Sequence, residues 1–414
     1  MAPPASGVVF LDPLNGGLAA VRTLRRRGEH VVVIAGSDNS FTTRSRGVEG
    51  HFVPFDGNGE AWLELLAQLA GRGTQHLLTG SDAASAWLVD VRERLPPEIV
   101  CFERQDDAHA SLMGKDSAHA IARAAGVAVP WTMPISVPED VDALASDAPW
   151  PCILKPVLSH EWRPVMGDDR VMLVTNANDA RREAERALAA GFPLVLSEYV
   201  PGGDGNVEEA IVVRAADGSY PVQFGCQKIR QYPVGFGVAS LCEIAELPES
   251  IALARAVLDE AGFVGVAGVE TKRHADTGVR YFLEVNVRIP TQWGLADCSG
   301  LDASHRLAAT LRREQLGPQP AIGRRARLVY PQQDARAAVA ALRGAPRRQR
   351  GAVAWRFARS YAGTRDFGIL DPRDPAPGLA CVGGFLRRRL AARFERSAGR
   401  DGRARRGSDT SSVT

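Results

Sequence analysis

The sequence predicts a chain of mixed class, α/β at its start and α+β beyond: a Rossmann-like parallel sheet, then hairpin-rich lobes, then a small extension. Three observations carry this. Strand and helix signals alternate over the first hundred residues, hairpin signals dominate from about Ser111, and regularity weakens after about Pro318. Alternating strands and helices require crossover connections, and these produce parallel sheets.

Taken in order, GVVFL reads as a buried strand, GGLAAVRTLRRRG as a helix opening on glycines, and VVVIAG as a second strand. AWLELLAQLAGRG is an amphipathic helix, HLLTG a strand, and ASAWLVDVRERL another helix. NGGLAAV is only loosely like a dinucleotide fingerprint, and a tight strand-to-helix turn is the simpler use of its glycines. From Ser111, MGKDSAHAIARAAG reads as a helix and CILKPV as a strand, followed by a polar loop over 159–170. The strand VMLVT, the helix NANDARREAERALAAG and the strand FPLVLSEYV, breaking at Pro201, come next. EEAIVVRAADGSYPVQFGCQK is a hairpin turning at Asp217-Gly218, IALARAVLDEAG a helix, and GVAGVETKRHADTGVRYFLEVNVRI a second hairpin turning near 276–278. After Pro318, ARAAVAALRG and GGFLRRRLAARFERS read as helices, and the polar stretch from about Ala398 as disorder. The expected domains are 1–110, 111–318 (lobes 111–197 and 198–318), an extension 319–396, and a tail 397–414.

Composition narrows the function. Apolar residues are 45% and charged residues 24% of the 414, enough for a sizeable core, and a net charge of +2 gives no chain-wide reason to bind nucleic acid. No apolar run has the length of a membrane span, and MAPPASGVVFLDP lacks the charged start of a signal peptide. Six scattered cysteines without a C-x-x-C pair suit reduced, buried thiols, so a cytoplasmic location is expected. The basic FLRRRLAARFERS segment suggests surface association, but a solvated helix explains it more simply, and stable membrane association is not expected.

Lysine usage singles out a site. Of 50 Lys and Arg residues only Lys115, Lys155, Lys228 and Lys272 are lysine. A compact ammonium on a flexible stem suits phosphate oxygens in a tight space, whereas arginine serves elsewhere. In the second hairpin, Glu284, Asn286 and Arg288 share one strand face, and Glu270 falls opposite Glu284 because 277 lies midway between them. Two carboxylates and an amide oxygen on one face suit Mg²⁺, and Arg288 could neutralise a reacting group. The competing reading, two solvent-facing glutamates on an edge hairpin, fits less well beside so apolar a strand.

LEVNVR, preceded by VETK, resembles the L-E-[IV]-N-P-R signature of the ATP-grasp superfamily. MGKD, ILKP and SEYVPGG stand in the matching order before it, so the resemblance covers about Ser111 to Pro318. It implies a two-lobed fold with ATP between the lobes, Lys115 and Lys155 on the phosphates, and adenine against the backbone of Glu198, Tyr199 and Val200. It also implies ribose held by Asp204 or, failing that, Glu208, and Mg²⁺ (or Mn²⁺ in its place) on Glu270, Glu284 and Asn286. Arg288 would stabilise a phosphorylated intermediate, with Lys228 and Arg230 contacting phosphate or a carboxylate substrate; Lys272 is open between site and surface. Two departures stand. Val287 replaces the family's proline, and the loop VLSHEWRPVMGDD after Lys155 has one glycine, which raises Ser159, His160 and Trp162 as substrate contacts or as ordinary loop packing.

The chemistry implied is phosphorylation of a carboxylate by ATP, followed by attack of an amine to give an amide, with amino-acid or peptide-like substrates preferred. The alternatives are a carboxylase or purine-pathway type of ATP-grasp enzyme, and a non-catalytic nucleotide-binding module. A serine hydrolase is disfavoured, because Ser81 in TGSDAAS lacks the G-x-S-x-G elbow. Homodimers are common in the superfamily, although no segment of this sequence marks an interface.

Overall fold

A computed structural model describes residues 6–36, 40–55, 57–102, 107–156 and 171–384. Ser159, His160, Trp162, most of FLRRRLAARFERS and the tail lie outside the described residues. The first sheet contains β1 (Ser6–Leu11), β2 (Val31–Ala35), β3 (Glu49–Phe52), β4 (Thr74–Thr79) and β5 (Ile99–Cys101). Its order is β3-β2-β1-β4-β5 and every pairing is parallel. The strands and helices expected here all form. The two unforeseen strands, β3 and β5, are short edge strands with partly exposed residues, so they carry little periodic signal.

The second sheet is antiparallel, with β6 (Thr132–Ile135), β7 (Cys152–Pro156), β8 (Met172–Val174) and β9 (Leu194–Glu198) in the order β6-β9-β7-β8. The helices Pro138–Leu144 and Ala177–Ala189 cover it through Val141, Ala180, Ala184 and Ala187, which pack against Ile135, Leu154 and Leu196. The alanine stripe has the i, i+4, i+7 spacing of one helix face and lets the helix lie close to the sheet.

The third sheet runs β14-β13-β10-β11-β12-β15-β16. Its strands are β10 (Val207–Arg214), β11 (Val222–Tyr232), β12 (Val238–Ala245), β13 (Gly265–Arg273), β14 (Arg280–Asn286), β15 (Arg327–Val329) and β16 (Thr364–Asp366). Gly218 and Gly278 take left-handed φ values of 82° and 74° at the two expected turns, where a side chain would be strained. β15 and β16 come from the segment expected as a separate extension, so the boundary near 318 does not divide this sheet.

Each face of the third sheet has its own partner. Ala210, Val212, Ala267 and Val269 pack on the helix Pro248–Glu260. Ile211, Val213, Phe224 and Val266 face the helices Gly294–Ser299 and Ala303–Leu311 and the helix Asn15–Arg26 of the first domain. Burying each of the larger side chains contributes roughly 1.5–3 kcal/mol. Towards one end of the second face the apolar set gives way to Glu209, Lys228 and Glu270, and there the sheet becomes the floor of a cavity.

Candidate active site

A cavity of about 240 Å³ lies between the second and third sheets. Lys115, Lys155, Lys228 and Lys272, the only lysines in the chain, all line it. They come from four separate elements: the first residue of the helix Lys115–Ala124, β7, β11 and β13. Lys272, left open by the sequence, points its Nζ 4.8 Å above the centre of the Tyr199 ring. Burial and the neighbouring Lys115 pull the Lys155 amine down to about 8. Two cations close together in a partly dry site mark a place for a polyanion.

The acidic side is set by strand register. Glu270 pairs directly with Glu284, and Gly268 with Asn286, as the hairpin reading expected. Lys228 Nζ lies 2.7 Å from Glu270 Oε2. Burial drives the Lys228 amine down, but the carboxylates of Glu270, Glu209 and Glu284 more than offset this and hold it above its ordinary value. Burial drives Glu270 up, with Lys228 opposing and Glu284 adding to the rise. At 2.7 Å the proton rests on Lys228, whose ammonium the Glu270 carboxylate holds charged. Glu284 is exposed and lines the cavity.

Arg288 is fixed from two sides. Its Nε donates to Asp82 Oδ1 at 2.7 Å, its Nη2 to Asp82 Oδ2 at 3.3 Å and to Asn286 Oδ1 at 3.1 Å. Asp82 opens a helix of the first domain behind the capping residue Ser81, so that domain orients the arginine. Val287, in place of proline, is buried, and its carbonyl accepts from Ser85 Oγ at 3.3 Å. Among the described residues no three His, Cys, Asp or Glu side chains form a ready-made metal site. Glu270, Glu284 and Asn286 nonetheless fit Mg²⁺, which commonly takes one or two carboxylates and completes its shell with phosphate oxygens and water.

On the rim, Glu198, Tyr199 and Val200 line the cavity as expected. The Glu198 N–H donates to Trp131 O at 2.7 Å, the Tyr199 N–H donates to Pro151 O at 3.2 Å, and Glu198 Oε2 accepts from Trp131 N at 3.1 Å. Val200 is therefore the one of the three whose N–H takes no partner among the described residues. Asp204 stands behind the wall. It accepts from Gln231 Nε2 at 2.9 Å and Gln231 N at 3.1 Å, and Gln231 lines the cavity.

Two expected site residues are placed elsewhere. Glu208 faces away from the cavity, taking hydrogen bonds from Ser250 and from Arg280 Nε at 2.8 Å. Arg230 turns towards the C-terminal segment, where it holds Asp334 through two hydrogen bonds of 2.9 and 2.7 Å and stacks 4.2 Å from the Phe357 ring. The reason is a β-bulge between Lys228 and Arg230, which breaks the alternation that would put both on one face. Sequence reasoning also missed Glu209, His119 and Gln231. Glu209 shares the face of Glu270, its register partner, and burial plus the Glu270 charge push its carboxyl up to about 8. His119 lines the cavity, and burial lowers its imidazole.

A larger cavity of about 540 Å³ runs along the helix Asn15–Arg26 and contains none of these residues. Its arginines include the exposed Arg26, Arg27, Arg324, Arg365 and Arg373, in a chain where arginine is the ordinary surface cation. We place the site at the lysine-lined cavity for that reason.

The three sheets enclose a cleft whose third-sheet wall carries Lys228, Lys272, Glu270 and Glu284, with Lys155 on the second sheet. Solved structures share this fold. N5-carboxyaminoimidazole ribonucleotide synthetase in its ADP complex matches with a TM-score of 0.60 at 16% identity, over 78% of this chain and 80% of that one. The Staphylococcus aureus N5-carboxyaminoimidazole synthetase complexed with ADP matches at 0.59 and 14%, over 78% and 82%. Biotin carboxylase from Campylobacter jejuni matches at 0.56 and 16%, over 75% and 72%. No protein-family model and no curated protein matches the sequence.

Proposed function

We propose that the chain is an ATP-dependent ligase that phosphorylates a carboxylate and joins the acyl group to an amine. The observation that carries this reading is the convergence of all four lysines with Glu270 and Glu284 on one cavity. Lys115 and Lys155 would neutralise the phosphates, and the Val200 N–H would hold the base. Mg²⁺ on Glu270, Glu284 and Asn286 would draw charge from the phosphate oxygens. A substrate carboxylate oxygen attacks the γ-phosphorus and ADP leaves. The amine nitrogen then attacks the acyl carbon, phosphate leaves, and the amine proton passes to solvent. Arg288, held by Asp82, would face the charge that develops on the transferred group. Amino-acid or peptide-like acids are the preferred substrates. The likeness to a biotin carboxylase and to carboxyaminoimidazole ribonucleotide synthetases supports a second reading in which the acid is bicarbonate.

The test is ADP release with Mg²⁺-ATP, hydroxylamine and a panel of carboxylates, run beside a bicarbonate arm. Hydroxylamine intercepts an acyl phosphate, so hydroxamate that disappears in Glu284→Gln supports the ligase. ADP formed only with bicarbonate moves the assignment to the second reading. A protein that binds no ATP and releases no ADP in any arm refutes both.

A further inference from the structure

Glu270 faces two claims that it cannot meet together. Its carboxylate is paired with Lys228 at 2.7 Å, with the two side chains only 18% and 7% exposed. The proposed activity, on which this inference rests, needs the same carboxylate for a divalent cation. A cation arriving there meets the Lys228 ammonium at close range, and an ammonium so enclosed cannot be left without a counter-charge.

One other carboxylate is already placed for Lys228. Glu209 lies on β10 between Cys226 of β11 and Glu270 of β13, diagonal to Lys228 on the same sheet face. Space for its carboxylate is made by Gly268. A Cβ at that position would stand 2.4 Å from Glu209 Oε1 and 2.7 Å from Pro290 Cγ. The Glu209 side chain is 3% exposed, and its Oε2 takes no hydrogen bond among the described residues. An interior carboxyl oxygen without a partner is costly, and a native fold retains one for a reason.

We propose that Glu209 is the second counter-ion of Lys228: when a divalent cation takes Glu270, Lys228 moves its ion pair to Glu209 and stays charged beside the phosphates. Glu209 is then a positioning residue that acts through Lys228; cation binding exchanges one buried ion pair for another, and the proton that Glu209 holds while Lys228 is on Glu270 passes to solvent. Metal occupancy thereby sets where the lysine points.

The experiment measures Mn²⁺ affinity by the electron paramagnetic resonance signal of the free ion, in the presence of a non-hydrolysable ATP analogue. The proteins are wild type, Glu209→Gln, Lys228→Met and the double variant; analogue binding in chelator is read in parallel. Without a group at 209 that can ionise beside it, Lys228 stays on Glu270, so Glu209→Gln weakens Mn²⁺ by at least about tenfold, the scale of outer-shell effects on metal sites. The double variant restores affinity to that of Lys228→Met, because no lysine competes. Analogue binding without metal is unchanged in Glu209→Gln, because Lys228 then rests on Glu270 in both proteins. Wild-type Mn²⁺ affinity in Glu209→Gln overturns the proposal, leaving Glu209 a purely structural group. A loss that the double variant does not restore also overturns it, since Glu209 would then touch the cation itself. A wild type that binds neither Mn²⁺ nor the analogue refutes the ligase reading along with this one. Should Glu209→Gln fail to fold, Glu209→Asp, which keeps the charge but shortens its reach, replaces it and the same ratios decide.

Discussion

Replacing Arg230 tests whether this residue serves the site or the scaffold. In the structure its guanidinium holds Asp334, a fully buried carboxylate that also accepts from Ser240 Oγ at 2.8 Å and from the Tyr361 hydroxyl. Burial pushes the Asp334 carboxyl up, and Arg230 and Tyr361 more than reverse this, leaving it below the usual carboxylate range. Arg230→Ala strands that charge. Breaking a buried pair from one side costs about 3–5 kcal/mol, and the lost contact with the Phe357 ring adds about 0.5–1 kcal/mol. With an unfolding entropy of about 2.1 cal/mol/K per residue, the 414-residue chain has roughly 0.9 kcal/mol/K. A loss of about 4 kcal/mol then lowers the melting temperature by about 5 °C. The double change Arg230→Met, Asp334→Leu should recover part of this, because no charge remains buried, although Ser240 and Tyr361 lose a partner. Differential scanning calorimetry reads both, and Mn²⁺-ATP affinity well below the transition should stay within about twofold of wild type. A variant that melts like wild type but binds nucleotide tenfold more weakly would return Arg230 to the site and refute this reasoning.

Two further outcomes follow from the same geometry. The Lys155 amine, held down to about 8 by burial and Lys115, should gain a proton when phosphate arrives, since an anion favours the charged form. Binding of metal-free ATP should therefore weaken as pH rises through about 8, by up to tenfold per unit, and titration calorimetry should find this slope absent in Lys155→Met; a flat wild-type profile from pH 7 to 9 contradicts it. Gly16→Ala would place a Cβ 1.8 Å from the Pro290 carbonyl oxygen, a backbone atom that no rotamer change can move away. Overpacking of about 3 kcal/mol outweighs the helix-propensity gain of about 1 kcal/mol, so the urea midpoint should fall by the equivalent of about 2 kcal/mol; a rise in the midpoint would show that the contact gives way freely.

The glycine and glutamate positions show how far the sequence can be read. Alternation placed the first-domain strands and helices because it depends on local period alone; arithmetic about the hairpin turn paired Glu270 with Glu284, a pairing the structure reaches through a bulge between Glu270 and Thr271. The glycines after β1 open the helix as the sequence reads, but Gly16 also lets Pro290 approach, a contact across 274 residues that no local pattern reports. VEEAIVV gives no phase, because the first seven residues of β10 are buried on both faces and every position looks apolar or anomalous. Choosing Glu208 over Glu209 required knowing which side faces Ser250 and which faces Glu270. Lys228 and Arg230 obey the alternation rule in sequence and break it in structure, since register shifts on either side of Arg230 reverse the phase. The lysines escaped these limits because their signal was compositional. A residue type used four times in 414 needs no register to be recognised as placed, and tertiary structure only had to bring the four together.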